Sequence, residues 1–238
     1  MTRGVTKYGY AFVSADYRLA PQVGVQDILE DVRDCIAFIR TELVNHTGPD
    51  VLDASRLAVS GSSAGGYLAL LAGLYVEPKP KVILGIYPIT DPLGSFFTTS
   101  QLHTLGQART DPASVATFLD PQSDVVANSA PGHESNRNKM YNYMLEKANL
   151  AALLHIEPGD HTFRIAKSIL QRGLPPTYIM HPDGDQDVGI DQSDEVVGVL
   201  VGLGMEVCYK RVHGPSHLFD LDEQVELEDM YAFLLKYL

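Results

Sequence analysis

The chain has 238 residues, of which 45% are hydrophobic and 20% charged, and its formal net charge is −12. This length suggests one domain, or one domain with a large insertion, and it allows a sizeable buried core. The apolar content excludes a disordered chain, and the acidic balance argues against nucleic-acid phosphates and anionic membranes as partners. We therefore expect no nucleic-acid partner and no membrane partner.

The sequence carries no recognisable signal for export or membrane insertion. Residues 1–9 lack the apolar segment of a signal peptide, and the apolar stretch 67–76 is far too short to span a membrane. Cys35 and Cys208 cannot build a disulfide framework and are expected to be buried thiols. These features predict a cytoplasmic protein.

Short apolar runs alternate along the chain with segments of helical periodicity. Strands are predicted at 10–14, 56–60, 82–87, 177–180 and 206–212. Helices are predicted at 25–43, 67–74, 191–203 and 223–238. Strands that alternate with helices predict a mainly parallel sheet with helices on both faces, an α/β fold.

The alternation stops between Asp91 and Pro175, which is too long for an ordinary connection between strands. This segment is richer in polar and helix-forming residues, for example over 137–154. We interpret 91–175 as a helical cap over the carboxyl edge of the sheet, where open α/β sheets bind ligands. The predicted core is then discontinuous and consists of residues 1–90 and 176–238.

The segment Gly61-Ser62-Ser63-Ala64-Gly65 matches the pattern G-x-S-x-G, whose central serine is a nucleophile. A predicted strand precedes it and a predicted helix follows, which is the setting of a nucleophile elbow; the alternative is a Gly/Ser turn that only begins a helix. Glycine is expected at 61 and 65 because side chains there would collide with neighbouring backbone. The backbone N–H of Ala64 is expected to face the developing oxyanion.

A serine nucleophile needs a base and an orienting carboxylate, which accompany this pattern in the order serine, carboxylate, histidine. The carboxylate is expected after the fourth predicted strand, where the spacing leaves Asp183, Asp185 and Asp187 open. The histidine is expected after the fifth predicted strand, where His213 and His217 lie. We favour His217, because it lies in the loop beyond the strand and can reach back over the sheet.

Seven segments of the chain carry a resemblance to a known family. They are DYRLAP at 16–21, DVRDCIAFIR at 31–40, GSSAGG at 61–66, YPITD at 87–91, PPTYIMH at 175–181, DQDV at 185–188 and HLFD at 217–220. In this order they span nearly the whole chain and resemble the hormone-sensitive-lipase-like esterases, the "fold-3" family of α/β-hydrolases.

The resemblance implies a set of catalytic roles. In that family the acid is the aspartate of a D-x-x-V string and the histidine lies in a G-x-x-H-x-F context, which match Asp185 and His217. The family's activity would be carboxylic-ester hydrolysis through an acyl-enzyme, with Ser63 as nucleophile, His217 as base and then acid, and Asp185 fixing the imidazole. It implies no metal, no cofactor, and a small or medium-chain ester or lactone as substrate. The sequence leaves a homodimer open.

The chain departs from the family in one respect. The family carries a His-Gly-Gly segment, which supplies oxyanion donors, upstream of the DYRLAP string; no such segment precedes Asp16 here. In the family's sheet that strand lies between the strands that match 10–14 and 56–60, so these two are expected to keep unpaired backbone groups or to pair directly. We expect a truncated sequence, ahead of a rearranged smaller sheet or a strand supplied by another chain.

Two other readings stay open. Asp183, Asp185, Asp187, Asp191 and Asp194 follow part of an EF-hand calcium pattern, although valine stands where that loop needs glycine. The resembling family also includes gibberellin receptors, which bind a small molecule without turnover. The chain could thus be a truncated or degenerate member that acts as a small-molecule-binding protein.

Overall fold

The computed structural model describes residues 5, 7–48, 50–101, 109–127, 137–222 and 224–238. The chain divides into two units. The first contains residues 1–15, 33–90 and 164–238, and the second contains 16–32 and 91–163. The predicted boundaries of the core and the cap stay a prediction.

A four-stranded sheet forms the centre of the first unit. Its strands are β1 (Ala58–Ser62), β2 (Val82–Ile86), β3 (Thr177–Pro182) and β4 (Val207–Val212). They are all parallel, in the order β1-β2-β3-β4. Four of the five predicted strands are therefore confirmed, and so is the mainly parallel α/β fold.

Ten α-helices lie wholly within the described ranges. They are α1 (Val25–Phe38), α2 (Val44–Thr47), α3 (Ala64–Tyr75), α4 (Ser95–Thr98), α5 (Ala116–Leu119), α6 (Arg137–Lys147), α7 (Leu150–Leu153), α8 (Ile165–Arg172), α9 (Asp191–Gly202) and α10 (Glu228–Tyr237). A π-helical turn, Ile39–Leu43, joins α1 to α2. No helix of the described part of the chain is long and apolar enough to cross a membrane.

Helices cover both faces of the sheet, because alternate strand residues point to opposite sides. On one face Leu84 and Tyr178 belong to a buried cluster with Met230 of α10. On the other face Gly73 of α3 lies so close to Ile83 that a Cβ there would be 2.8 Å from Ile83 Cγ1. The strand alternation thus gives β2 and β3 two buried faces, as expected of a parallel sheet.

The predicted strand at 10–14 is wrong. The structure assigns no strand there, and Phe12 and Val13 are 50% and 42% exposed. A strand forms only against a neighbour that pairs with its backbone. Instead, a groove of roughly 570 Å³ separates residues 8–13 from β1. The two segments therefore do not pair directly, and β1 pairs only with β2 among the described residues.

The second unit joins the DYRLAP segment to the inserted helices by backbone hydrogen bonds. Leu19 N–H donates to the Val126 carbonyl at 2.9 Å, and Val25 N–H donates to the Leu154 carbonyl at 2.9 Å. The imidazole of His155 makes a 2.8 Å hydrogen bond to the Pro21 carbonyl, and its side chain packs against Gly24. These contacts give His155 a structural role within this unit.

Candidate active site

The sequence-predicted site residues follow the carboxyl ends of neighbouring strands in the first unit. Ser63 follows β1, Asp185 lies in the loop after β3, and His217 lies in the loop after β4. Because the strands are parallel, their carboxyl ends meet at one edge of the sheet. The topology thus brings the three loops to the same edge.

Ser63 occupies a strained turn between β1 and α3. Its φ of 54° and ψ of −119° lie outside the regions that side-chain-bearing residues ordinarily adopt. The surrounding backbone fixes this geometry, since Ser63 N–H donates to the Ile86 carbonyl at 2.9 Å. The Ser63 side chain makes no capping hydrogen bond to the helix, and Ala64 is the first residue of α3. This is the backbone geometry that the G-x-S-x-G pattern predicts.

The glycines of this turn differ in what they allow. A Cβ on Gly61 would lie 2.1 Å from the Gly65 carbonyl oxygen, so a side chain at 61 collides with backbone, as predicted. The same prediction for Gly65 is wrong, because a Cβ there would have no neighbour within 4 Å. The second tight position is Gly66, whose Cβ would lie 2.8 Å from Pro88 Cβ. Steric demand therefore falls on 61 and 66.

Asp185 and His217 are joined directly. His217 Nδ1 lies 2.6 Å from Asp185 Oδ2, and the side chains are 10% and 0% exposed for His217 and Asp185 respectively. A carboxylate that accepts from Nδ1–H leaves Nε2 as the free nitrogen of a neutral imidazole. The arrangement thus presents Nε2 as a proton acceptor.

Backbone N–H groups hold the Asp185 carboxylate from the other side. Asp187 and Val188 N–H both donate to Asp185 Oδ1 at 2.9 Å. Burial alone would raise the pKa of Asp185, but the neighbouring imidazoles of His181 and His217 and the Val188 N–H, which all face the carboxylate, hold this pKa well below its usual value. The carboxylate is therefore ionised throughout the neutral range.

A second pair connects the same two loops at the surface. His213 Nδ1 lies 2.6 Å from Asp183 Oδ2, and Gly214 N–H donates to Asp183 Oδ1 at 2.8 Å. The His213 side chain is 96% exposed. The structure thus separates the alternatives left by the spacing: Asp185 pairs with His217 in a buried position, and Asp183 pairs with His213 in solvent.

The loops after β3 and β4 approach each other closely at Gly184. A Cβ on Gly184 would lie 2.7 Å from the Pro215 carbonyl oxygen and 2.9 Å from that of Gly214. Any side chain here would push the loops apart. Glycine at 184 therefore allows the approach that the Asp185–His217 hydrogen bond requires.

The sequence reasoning missed Tyr87, which supports His217. The Tyr87 and His217 ring centroids are 4.4 Å apart, and the Tyr87 hydroxyl donates to Asp220, in the turn after His217. Burial is the main cause that raises the pKa of Tyr87, and the neighbouring Asp220 carboxylate raises it further, so the phenol stays protonated. Tyr87 itself has φ of 36°, directly after β2. The YPITD segment was the available signal, although it gave no role for this ring.

The arrangement of the aspartates does not support a calcium site. Asp183 and Asp185 accept from the histidines described above, and Asp194 accepts from Tyr209 and Arg211. Among the described residues, no three His, Cys, Asp or Glu side chains gather in a way that could hold a metal ion.

A parallel sheet with helices on both faces and a strained serine turn after its first described strand defines an α/β-hydrolase fold. The chain matches the BD-FAE family model over residues 1–200. It therefore belongs to the BD-FAE family, a family of α/β-hydrolase-fold esterases. The resemblance to α/β-hydrolase esterases is confirmed.

Solved structures share this fold at low sequence identity. A Staphylococcus aureus protein of unknown function has a TM-score of 0.72 and 21% identity, with 93% of this chain and 76% of that chain covered. Carboxyl esterase 2 from Tuber melanosporum has a TM-score of 0.59 and 20% identity, with 99% and 69% covered.

The curated relatives are much longer proteins. The non-reducing polyketide synthase ausA of Aspergillus calidoustus is 24% identical over 267 aligned residues, which cover 93% of this chain and 11% of the synthase. The chain thus spans about 11% of the length of such relatives.

Proposed function

We propose that the chain is a serine hydrolase of carboxylic esters. In this proposal Ser63 attacks the ester carbonyl, His217 takes the hydroxyl proton, and Asp185 holds the imidazole in the required tautomer. The observation that carries the proposal is the 2.6 Å contact between His217 Nδ1 and the buried Asp185 carboxylate. This contact orients a base at the same sheet edge as the strained serine.

The proposed reaction has two halves. The Ser63 oxygen bonds to the carbonyl carbon, and the Ala64 N–H faces the resulting oxyanion. Protonated His217 then gives its proton to the departing alcohol, which leaves an acyl-enzyme on Ser63. Water, deprotonated by His217, attacks this ester and releases the acid, and the proton returns to Ser63. No metal or cofactor takes part in these steps.

We propose a small or medium-chain ester or a lactone as the substrate class. Support comes from membership of an esterase family. Acyl chemistry of this kind does not distinguish strongly between oxygen esters and thioesters. The similarity to polyketide synthases favours a second candidate, the hydrolysis of an acyl thioester by the same residues.

Turnover of p-nitrophenyl butyrate by the chain, beside Ser63→Ala, tests the proposal, with circular dichroism to show that both are folded. We expect hydrolysis that is lost in the variant. The butyryl thioester of N-acetylcysteamine, assayed in parallel, separates the two substrate classes by kcat/KM. Folded protein that binds such esters without turnover would contradict the hydrolase and favour a small-molecule-binding protein.

A further inference from the structure

A second histidine, His181, lies behind the Asp185 carboxylate. It is the fifth residue of β3, and its side chain is fully buried. His181 Nε2 lies 3.5 Å from Asp185 Oδ2, the oxygen that also accepts from His217. One carboxylate oxygen thus faces an imidazole nitrogen on each side.

The surroundings of His181 fix which nitrogen carries a proton. Its Nε2 lies 2.9 Å from the Val188 carbonyl, which can only accept a hydrogen bond, so Nε2 must be the donor. Its Nδ1 lies 2.7 Å from the hydroxyl of Ser193, a buried residue in the first turn of α9. The Nε2–H dipole therefore points towards both Val188 and Asp185.

These contacts form a small closed network, a ring of contacts, around the Asp185 carboxylate. Val188 N–H donates to Asp185 Oδ1, while the Val188 carbonyl accepts from His181. His181 in turn is anchored to α9 through Ser193. A movement of Asp185 towards solvent would break this ring. The buried polar groups lose their partners when it opens, which is costly.

We propose that His181, anchored by Ser193, is a positioning residue that holds the Asp185 carboxylate against His217. This inference rests on the proposed function for its kinetic consequence. His181 does not touch the reacting atoms and acts only through Asp185. The positive end of its Nε2–H dipole faces Asp185 Oδ2, the same oxygen that accepts the hydrogen bond from His217. His181 thereby offsets part of the negative charge on Oδ2 and weakens the attraction between the carboxylate and a proton on the His217 imidazole.

The test uses Ser193→Ala, His181→Phe and His181→Gln. Ser168→Ala is the matched control, because Ser168 is also a buried helical serine and bonds to Tyr75 instead. We expect kcat to fall about tenfold in His181→Phe with KM little changed. We also expect the acid limb of the kcat/KM profile to move to higher pH, since Asp185 then concentrates its charge on His217. His181→Gln, which keeps an N–H donor, should recover part of both effects, and Ser168→Ala should show neither.

A readout without turnover separates this inference from the proposed function. We expect the proton between His217 Nδ1 and Asp185 to give a downfield NMR resonance. This resonance should shift in His181→Phe and Ser193→Ala and stay unchanged in Ser168→Ala. If the wild-type chain proves inactive, the proposed function fails, and the resonance alone decides the positioning role. Folded His181 variants with an unmoved resonance, or an unmoved acid limb in an active chain, would overturn the inference.

Discussion

His217 and His213 bond to two aspartates that are separated by a single residue, Gly184. His217 Nδ1 meets the buried Asp185, and His213 Nδ1 meets the exposed Asp183, each at 2.6 Å. The two pairs bridge the same two loops but differ in burial. Solvent screens the interaction of the exposed pair much more than that of the buried pair. Asp183 and His213 are therefore matched control positions for substitutions of Asp185 and His217.

The first prediction compares these pairs by substitution. We expect Asp185→Asn and His217→Asn to lower kcat/KM for p-nitrophenyl butyrate by about 10⁴-fold, because the imidazole loses its orientation or is absent. Asp183→Asn and His213→Asn, the matched controls, should stay within a few-fold of the wild type. Equal losses in both pairs would show that loop attachment, not base orientation, is what activity requires.

The second prediction concerns the two glycines of the serine turn. We expect Gly61→Ala to lower the free energy of unfolding by about 1–3 kcal/mol or more, since the added methyl collides with the Gly65 carbonyl. Gly65→Ala should leave the free energy of unfolding unchanged or raise it by up to about 1 kcal/mol, because the site is open and helical. Urea denaturation of both variants measures the difference, and similar stabilities would contradict the steric account.

The third prediction concerns the support of His217 by Tyr87. Tyr87→Phe keeps the ring against the imidazole but removes the hydroxyl that donates to Asp220. We expect a loss of about 1–2 kcal/mol in unfolding free energy and a fall in kcat/KM of less than tenfold. Asp220→Asn, which retains an acceptor, should cost less than Asp220→Ala. A Tyr87→Phe variant with unchanged stability would mean that this hydrogen bond does not anchor the turn.

The fourth prediction is the pH dependence of the exposed pair. Asp183 raises the pKa of His213, so the stabilisation from His213 is present below about 6.5 and is lost as pH rises through the raised value. The Gly214 N–H and His213 lower the pKa of Asp183, so its stabilisation is present above about 3.8 and is lost as pH falls through the lowered value.

The Tm difference between wild type and His213→Asn should accordingly be largest between these two pH values and shrink on both sides. It should also diminish in high salt, because the pair is exposed. A Tm difference that is constant from pH 3 to 9 would argue against an ion pair between Asp183 and His213.

The sequence predicted the parts of the fold that depend on local pattern. The apolar runs that became β2 and β3 are buried along their whole length, as the composition of a central parallel strand predicts, and the runs that became β1 and β4 flank them half-buried. The run at 10–14 is also apolar but pairs with no strand among the described residues, and pairing is a non-local property that composition cannot supply. This is why the four strands predicted from 56 onwards were correct and the one predicted at 10–14 was not.

The candidate site could be predicted where its residues follow directly after a predicted strand. Ser63 and the two loops could be located in this way, whereas the pairing of Asp185 with His217 followed from the family resemblance. Tyr87 and His181 were missed as parts of the site, because their roles depend on which ring or carboxylate packs beside them in three dimensions. No spacing in the sequence encodes those contacts.

Covalent labelling of the native chain with a p-nitrophenyl alkylphosphonate, mapped by peptide mass spectrometry, tests the central claim most directly. The account predicts one phosphonyl group per chain, located on Ser63, with loss of labelling in His217→Asn and in urea-unfolded protein. Folded wild-type chain that stays unlabelled, or that is labelled at another residue while Ser63 stays free, would contradict the assignment of Ser63 as an activated nucleophile.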